Sequence, residues 1–231
     1  EPPFSVHGLL PLDRGYRRLP DSLHLNPNLA ALSRHTAGGR IRFATDAAYI
    51  HVCVTLDTPS FMPHMPLTGS SGVDVFVDDR GYAQTLRPAI SPEGCKLPSY
   101  GATVRLPGEG LRTVTLYLPL YDAVKEVLVG LPRSARLAPP RAYRIEKPVL
   151  FYGSSITQGG CASRTSLGHC ALLARFLDAD FINLGFSGNA KGEPEMARYI
   201  AGMELSAFVL DYDHNTPNPE HLERTHGPFY E

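Results

Sequence analysis

The 231-residue sequence lacks several features that would assign a protein to a class at once. It has only four cysteines, and none of them stands in a C-x-x-C spacing, so neither a disulfide scaffold nor a zinc site is expected. No apolar run approaches the roughly 20 residues that a membrane helix needs. Basic and acidic residues are nearly balanced, 22 against 23, without a block of either sign. Nucleic acid and anionic membranes are therefore not expected as partners.

The sequence also begins without a methionine or a basic-then-apolar leader. A signal peptide is therefore absent or was removed before this sequence starts, which leaves the localisation open and favours the cytoplasm. The hydrophobic fraction of 43% is ordinary for a globular protein, and the length suits one large domain or two modest ones. Nothing in the sequence fixes an oligomeric state.

The first part of the chain has the period of short β-strands. Polar and apolar residues alternate, with many β-branched and aromatic side chains, at 40–45, 49–56, 73–78 and 111–118. Glycine-rich and proline-rich turn signals separate these segments. The pattern predicts an antiparallel β-sandwich.

The second part of the chain has a different period. Residues 131–148 hold four prolines, which predicts a linker without regular structure. Beyond it, strands are predicted at 149–152, 181–184 and 207–212, and helices at 166–178 and 193–203. This alternation predicts a parallel sheet with right-handed crossovers. We therefore predict two domains, at residues 1–146 and 147–231.

Each predicted strand of the second part is followed by small or polar residues. Gly-Ser-Ser follows the first strand at 153–155, and similar segments follow the other two at 185–189 and 213–217. Because the carboxyl ends of parallel strands share one edge of a sheet, we expect these segments to lie close together.

Three residues of these segments have the chemistry of acyl transfer. Ser155 is the candidate nucleophile, because it falls between a strand and a helix N-terminus, where backbone N–H groups converge. The Gly188 N–H and the Asn215 amide are candidate donors of an oxyanion hole. Each also has a structural explanation: a common turn for Ser155, a tight turn for Gly188 and a helix cap for Asn215.

The three segments, in this order, resemble the sequence blocks of the SGNH (GDSL-like) hydrolase family. Residues 153–157 look like the first block, with Ser155 in the nucleophile's place, and residues 183–188 look like the second, with Gly188 in the oxyanion position. The third block matches only through Asn215.

This sequence departs from the family's pattern at two blocks. Ser154 stands where the family usually has aspartate. Asp213 and Thr216 stand on either side of Asn215, where glycine and aspartate are usual.

The first part of the chain carries a second resemblance. Residues 65–76 are similar to the Gly-x-Asp-Leu-Tyr segment of a β-sandwich domain that precedes one bacterial branch of these hydrolases. The resemblance implies a jelly-roll-like sandwich followed by a flavodoxin-like α/β/α domain. That family's sheet usually has about five strands, so the second domain is expected to be incomplete at its C-terminus.

The family's last block, Asp-x-x-His, supplies the general base and the carboxylate that orients it. Residues 21–24 and 211–214 match this spacing, but neither match is at the family's position. The resemblance therefore implies that the catalytic Asp and His lie beyond residue 231. Without a base a serine hydroxyl is a poor nucleophile, so this chain alone is expected to be feebly active.

Other residues near the predicted site have structural explanations. His214 is most simply a loop residue that shapes the turn, and His221 and His226 are most simply solvated. Cys161 is expected to be a small buried neighbour of the serine. Asp74 is expected to be a structural residue of the sandwich.

The family resemblance implies a serine esterase that hydrolyses a small, polar acyl ester through an acyl-enzyme on Ser155. A carbohydrate acetyl ester is the leading candidate substrate, and no cofactor or metal is expected. Two alternatives stay open. One is an acyltransferase of the same family, and the other is a non-catalytic protein that binds a carbohydrate or a partner.

Overall fold

The computed structural model describes residues 2–57, 59 and 61–231. Its first part is rich in β-structure and contains two short helices, α1 (Pro27–Ser33) and α2 (Leu67–Ser70). The strands are β1 (Ser5–His7), β2 (Leu10–Pro11), β3 (Tyr16–Arg17), β4 (Arg40–Thr45), β5 (Tyr49–Leu56), β6 (Val73–Val77), β7 (Gly81–Leu86), β8 (Ser99–Arg105), β9 (Arg112–Tyr117), β10 (Val124–Gly130) and β11 (Leu137–Ala138). We call this part the β region.

The β region contains two larger antiparallel sheets. One has the order β1-β4-β9-β6-β7, with β11 paired to β4, and the other has the order β10-β5-β8. Strands β2 and β3 form a separate pair. Apolar side chains from both larger sheets meet in one core, to which β4 contributes Phe43, β5 contributes Val52 and β9 contributes Leu116. Alternating apolar residues produce this arrangement because successive side chains of a strand point to opposite faces.

The period-two pattern located the central strands well. The strands predicted at 40–45 and 49–56 have those bounds, and the strands predicted at 73–78 and 111–118 are one or two residues shorter in the structure. The predictions did not include β7, β8 or β10. Strand β8 does alternate, since Tyr100, Ala102 and Val104 face the core of the β region and the residues between them are exposed, so its pattern was present in the sequence and was missed.

The polar positions of β4 depart from the expected half-buried strand, because every residue of β4 is buried. The guanidinium of Arg40 donates to the carbonyl of Phe181 at 3.0 Å and forms an ion pair with Asp180. Arg42 lies over the Tyr143 ring, with its guanidinium carbon 3.8 Å from the ring centroid. The second face of this sheet therefore packs against the rest of the chain instead of facing solvent.

The second part of the chain, which we call the α/β region, has three parallel strands in the order β13-β12-β14. Its elements are β12 (Ile145–Gly153), α3 (Ser155–Gln158), α4 (His169–Leu177), β13 (Ala179–Gly185), α5 (Pro194–Ala201), β14 (Ala207–Asp211) and α6 (Pro219–Tyr230), with 3₁₀ turns at Thr165–Leu167 and Asp213–Asn215. The predicted alternation of strands and helices is observed, and the predicted element ends are wrong by up to four residues.

The prediction that residues 131–148 lack regular structure is wrong in part. Strand β11 lies within this segment, and β12 begins at Ile145, three residues before Pro148. The proline is accommodated because the pairing of β12 with β13 changes register between Ile145 and Val149. A proline cannot donate to a sheet ladder, and an irregularity of this kind removes the need for it to do so.

The β and α/β regions share a core of their own. Phe76 and Tyr117 of the β region pack in one cluster with Phe151, Phe181 and Ala174 of the α/β region. In the part of the chain that the structure describes, no helix has both the length and the apolar character needed to cross a membrane.

Candidate active site

The carboxyl ends of the three parallel strands lie level with one another. Gly153 at the end of β12 pairs with Gly185 of β13 on one side and with Asp211 of β14 on the other. The next residues are joined as well, because the Phe186 N–H donates to the Gly153 carbonyl at 2.8 Å and the Ser154 N–H donates to the Asp211 carbonyl at 3.1 Å. The segments that follow the strands therefore start from one edge of the sheet.

Two glycines allow the chain to turn within this crowded edge. A Cβ atom at Gly153 would collide with the Thr157 side chain and the Asp211 carbonyl, and one at Gly185 would collide with the Gln158 backbone. Helix α3 consequently begins directly against both neighbouring strand ends. A larger residue at either position would push the helix away from the sheet.

Ser155 is the first residue of α3 and is partly exposed. The preceding residue, Ser154, is buried and caps the helix, since its Oγ accepts from the Ile156 N–H at 3.2 Å. The helix ends after one turn at Gly159, which has a left-handed φ of 113° and donates to the Ser155 carbonyl at 3.0 Å. Residue 154 thus has a helix-capping role, which serine and aspartate can both fill.

Gly188 lies in the turn after β13. Its φ is 68°, in the left-handed region that favours glycine, and it is exposed, with no atom within 4 Å of the position where a Cβ would be. The turn is held by its neighbours: Asn189 donates a side-chain hydrogen bond to the Ser187 carbonyl at 2.7 Å. The structure therefore leaves open space next to this glycine.

Asn215 lies in the 3₁₀ turn after β14 and is half-buried. Its Nδ2 donates to the carbonyl of Phe186 at 3.1 Å, which joins the segment after β14 to the segment that contains Gly188. A side-chain amide has two hydrogens, so one remains for a further acceptor. The cap of α6 is Asn218, whose Oδ1 accepts from the His221 N–H at 2.8 Å, so the helix-cap explanation of Asn215 is wrong.

The β region also reaches α3, which sequence reasoning did not predict. The Tyr121 hydroxyl donates to the Ser155 carbonyl at 3.2 Å and contacts the Ser187 side chain. Burial raises the pKa of this tyrosine, so it stays a neutral donor at physiological pH. Tyr121 lies just after a strand, in a segment without periodicity, and no local pattern marks it.

The histidines do not provide a base for the serine in the described part of the chain. None of the nine hydrogen-bonds to the Ser155 hydroxyl in that part, and His214 is exposed. His221 and His226 were expected to be solvated: His221 is half-buried, which corrects the expectation, and His226 is exposed, as expected. The former donates from Nε2 to the Lys191 carbonyl at 2.8 Å, and the latter stacks on Tyr212.

Two further residues near the site correct or refine the predictions. Cys161 was expected to be buried and is exposed, because the loop after α3 turns outward there. The Asp211 carboxylate accepts from the Thr157 hydroxyl at 3.1 Å, which joins the end of β14 to α3.

One group of side chains has metal-ligating types. The ligand atoms of Asp211, Asp213 and His214 lie within 4.8 Å of one another. Asp213 and His214 are exposed, and exposed acidic groups of this kind are common without an ion. The arrangement gives no reason to assign a metal to the site.

Comparison with protein-family models identifies the family of this chain. A model described as the N-terminus of Esterase_SGNH_hydro-type (GxDLY) matches residues 4–137, more than half of the chain. A second model, the GDSL-like Lipase/Acylhydrolase family, matches residues 146–227. The chain belongs to the SGNH (GDSL-like) esterase family. The resemblance seen in the three sequence blocks is therefore confirmed.

Solved structures show the same fold for this SGNH-family chain. A GDSL-like lipase from Bacteroides ovatus is 26% identical, with a TM-score of 0.85 over 98% of this chain and 66% of its own. A salicylyl-acyltransferase from a tetracycline biosynthetic pathway is 22% identical, with a TM-score of 0.73 over 93% of this chain and 60% of its own. A family two carbohydrate esterase from Clostridium thermocellum, in complex with cellohexaose, is 14% identical, with a TM-score of 0.57 over 83% and 66%.

The SGNH-family chain spans less than two thirds of the length of these structures. Among curated proteins, none is similar enough in sequence to count as a match.

The Gly-x-Asp segment of this family has a visible role in the structure. Residues 72–76 read Gly-Val-Asp-Val-Phe, and the Asp74 carboxylate is buried between the two regions. It accepts from the Ser166 N–H at 3.0 Å and from the hydroxyls of Ser166 and Thr85. Asp74 is thus structural, as expected, and it holds the loop that follows α3.

Proposed function

We propose that the protein is a serine esterase that hydrolyses a small, polar acyl ester. Ser155 is the nucleophile, and the Gly188 N–H and the Asn215 amide stabilise the oxyanion. The observation that carries this proposal is the hydrogen bond from Asn215 to Phe186, because it joins two of the three strand-end segments beside α3, the helix that begins with the partly exposed Ser155. The open space at Gly188 supports it further.

The proposed reaction has two steps. The Ser155 oxygen attacks the carbonyl carbon of the ester, and its proton passes through a base to the departing alcohol as the old carbon–oxygen bond breaks. Water then attacks the acyl-enzyme, releases the acid and restores the hydroxyl. In both steps negative charge develops on the carbonyl oxygen, and two fixed donors stabilise it; losing one typically costs about 10²- to 10³-fold in rate.

The proposal assigns the base to a histidine outside residues 1–231, paired with an aspartate. It is supported by the lack of a histidine hydrogen bond to the Ser155 hydroxyl in the described part of the chain. On this proposal the 231 residues alone react slowly, and added imidazole accelerates the reaction at Ser155 by acting as the missing base.

A carbohydrate acetyl ester is the proposed substrate. The balanced charge of the chain suits a small, polar, uncharged molecule. The similar structures include a carbohydrate esterase in complex with cellohexaose, and that similarity is one of fold alone. An acyltransferase is the second candidate, because one similar structure is a salicylyl-acyltransferase and the same acyl-enzyme serves both reactions. The two differ only in whether water or an alcohol accepts the acyl group.

We also propose that the chain is organised as two domains, residues 1–146 and 147–231. The change from antiparallel to parallel pairing between β11 and β12 supports a boundary in this part of the chain. The core of the β region supports it as well, because its buried members all lie between Leu9 and Val124, although Leu19 and Leu29 pack with the α/β region instead.

The test is covalent labelling of the protein with a fluorophosphonate probe, with and without imidazole, followed by mass spectrometry of the labelled peptide. We expect modification of Ser155 in the wild type, a faster reaction with imidazole and no modification in Ser155→Ala. Ser206→Ala is the matched control, because this exposed serine precedes β14 at the other end of the sheet, and the variant keeps Ser155 and should be labelled. No labelling of Ser155 under either condition would contradict the proposal. Release of acetate from acetylated oligosaccharides, measured with and without an alcohol acceptor, then separates hydrolysis from acyl transfer.

A further inference from the structure

Gln158 occupies an unusual position beside the proposed site. It is the last residue of α3, three residues after Ser155, and it is fully buried. Its Nε2 donates to the Leu120 carbonyl at 3.0 Å and lies 3.1 Å from His35 Nδ1. Its Oε1 accepts from the Ser187 N–H at 3.0 Å. One side chain therefore joins the nucleophile helix, the β region and the turn that contains Gly188.

The hydrogen bond to Ser187 falls on a peptide unit that is held at both ends. The N–H of the Phe186–Ser187 peptide donates to Gln158, and its carbonyl accepts from the Asn215 amide at 3.1 Å. A peptide unit is planar, so two hydrogen bonds on opposite edges fix its orientation. The next peptide, which carries the Gly188 N–H, can then vary only through the torsions of Ser187.

All of the polar groups of Gln158 have partners, which explains why an amide suits this place. An amide has one acceptor oxygen and two N–H donors. The oxygen serves Ser187, and the donors serve Leu120 and His35. Burial, together with the charges of Arg18 and Lys96, lowers the pKa of His35 to about 4, so its ring is neutral and Nδ1 is free to accept. A methionine at 158 has a similar length but supplies neither function.

We propose that Gln158 is a positioning residue for the Gly188 oxyanion donor, acting through the Phe186–Ser187 peptide. This inference rests on the proposed function, because it gives Gln158 a role in the same reaction. The residue does not touch the substrate. It keeps the Gly188 N–H directed at the position where the oxyanion forms. Because Gln158 also donates to the Leu120 carbonyl, the position of that donor depends on how the β region packs on α3.

The consequence is a loss of rate rather than of binding. A displaced oxyanion donor acts in the transition state, so its loss lowers kcat and leaves KM nearly unchanged. Misplacement of a catalytic group by about 1 Å costs on the order of 10²-fold. We therefore expect Gln158→Met to lower kcat, and the rate of Ser155 labelling, by about 10- to 100-fold.

Gln158→Glu provides a rescue that a purely structural role would not show. A protonated carboxyl is close in shape to the amide: its carbonyl oxygen can accept from Ser187 and its hydroxyl can donate to Leu120. When ionised, it would repel the Leu120 carbonyl. Burial raises the pKa of a carboxyl at this position, whereas the charges of Arg18 and Lys96, which act on the neighbouring His35, oppose that rise; Lys96 is itself paired with Asp122.

The experiment measures the second-order rate constant of fluorophosphonate labelling at Ser155, with imidazole present, for the wild type and for Gln158→Met and Gln158→Glu. Amide hydrogen exchange of residues 184–190 is followed in the same samples. The matched control is Gln84→Met, which alters the other glutamine of the chain, in β7 of the β region. We expect slow labelling and fast exchange in Gln158→Met, and no change in Gln84→Met. The rate of Gln158→Glu relative to the wild type should rise as the pH falls from about 8 to about 5.5.

The outcomes separate this inference from the proposed function. If the wild type is labelled and Gln158→Met is labelled equally fast, the inference is overturned and the proposed function stands. The inference also fails if Gln158→Met and Gln158→Glu are slowed equally at every pH. No labelling of Ser155 in the wild type overturns the proposed function, and the role of Gln158 with it.

Discussion

Ser154 caps α3 at a position where the family usually has aspartate. Its hydroxyl caps α3 by accepting from the Ile156 N–H, and its own N–H pairs with the Asp211 carbonyl. The helix is one turn long, so this cap satisfies a large share of its free backbone donors. The cap therefore helps to fix the position of Ser155, the first residue of this helix.

We predict that Ser154→Ala lowers the free energy of unfolding by about 1 kcal/mol, because a helix cap is lost. Ser154→Asp should retain most of that stability, since aspartate caps a helix as well. Chemical denaturation followed by circular dichroism measures both. An alanine variant as stable as the wild type would show that the cap contributes nothing.

His35 predicts a pH dependence of stability. Burial, followed by the charges of Arg18 and Lys96, lowers its pKa to about 4 in the folded protein. The unfolded chain, with a pKa of about 6.5, binds a proton where the folded protein does not. The stability contribution of the neutral ring is therefore complete above pH 6.5 and is lost as the pH falls from 6.5 to about 4.

We expect acidification across that window to lower the free energy of unfolding by about 2 kcal/mol. His35→Gln removes the titrating group and should flatten the curve between these pH values. Urea denaturation at a series of pH values checks the prediction. Asp178 and Asp180 do not interfere, because their lowered pKa values place their effect below about pH 4. An unchanged slope in His35→Gln would assign the dependence to other groups.

Among the elements, β4, β6 and β9 carry the contact between the two regions. All three are buried along their whole length, because one face lies in the β core and the other meets the α/β region. This explains why charged residues alternate with apolar ones in β4 although neither face is solvated. Arg40 pairs with Asp180 across the contact, whereas Arg42 pairs with Asp79 within the β region.

Asp74 of β6 supplies the test of that contact. Its carboxylate accepts from Thr85 and from both the backbone and the hydroxyl of Ser166. Asp74→Ala leaves the buried donors of Ser166 without a partner and removes one of the two partners of the Thr85 hydroxyl, so we predict a loss of about 3 kcal/mol in the free energy of unfolding. Thr85→Val removes only one donor and should cost about 1 kcal/mol. Denaturant titration of both variants measures these losses. Equal stability of Asp74→Ala and the wild type would show that Asp74 does not stabilise the contact between the two regions.

Local patterns located the buried elements but not the contacts between distant ones. Strands β4 and β5 could be predicted to the residue because alternation is a local property. The three strand-end segments could be placed at one edge because parallel strands share that edge. Tyr121 and Gln158 could not be predicted, since their roles depend on how the β region packs on α3. His221 was misjudged for the same reason, because its partner Lys191 is 30 residues away.

In the whole molecule, Arg18 connects the N-terminal part of the β region to the end of β13. Arg18 is buried and donates to the carbonyls of Asn183 at 3.2 Å and Gly185 at 2.5 Å, both in β13. Its guanidinium carbon also lies 4.3 Å from the centroid of the Phe186 ring. These contacts join the first residues of the chain to the strand that leads to Gly188.

We predict that the β and α/β regions unfold in one transition. Amide exchange in β4 and in β13 should show the same free energy of opening, because the buried Arg40 of β4 donates to β13 and the buried Arg18 donates to β13 as well. Arg18→Met should lower both values by about 2 to 4 kcal/mol, as it leaves buried carbonyls unpaired. Exchange that becomes faster in one strand and not in the other would show that the regions are separate folding units.

The measurement that tests the account most directly is a crystal structure of the protein after fluorophosphonate labelling. The phosphonyl oxygen of the adduct stands in for the oxyanion of the reaction. The account predicts a covalent bond to Ser155 Oγ, with that oxygen about 2.7–3.1 Å from both the Gly188 N and the Asn215 Nδ2. An adduct whose oxygen faces solvent, away from both groups, would contradict it.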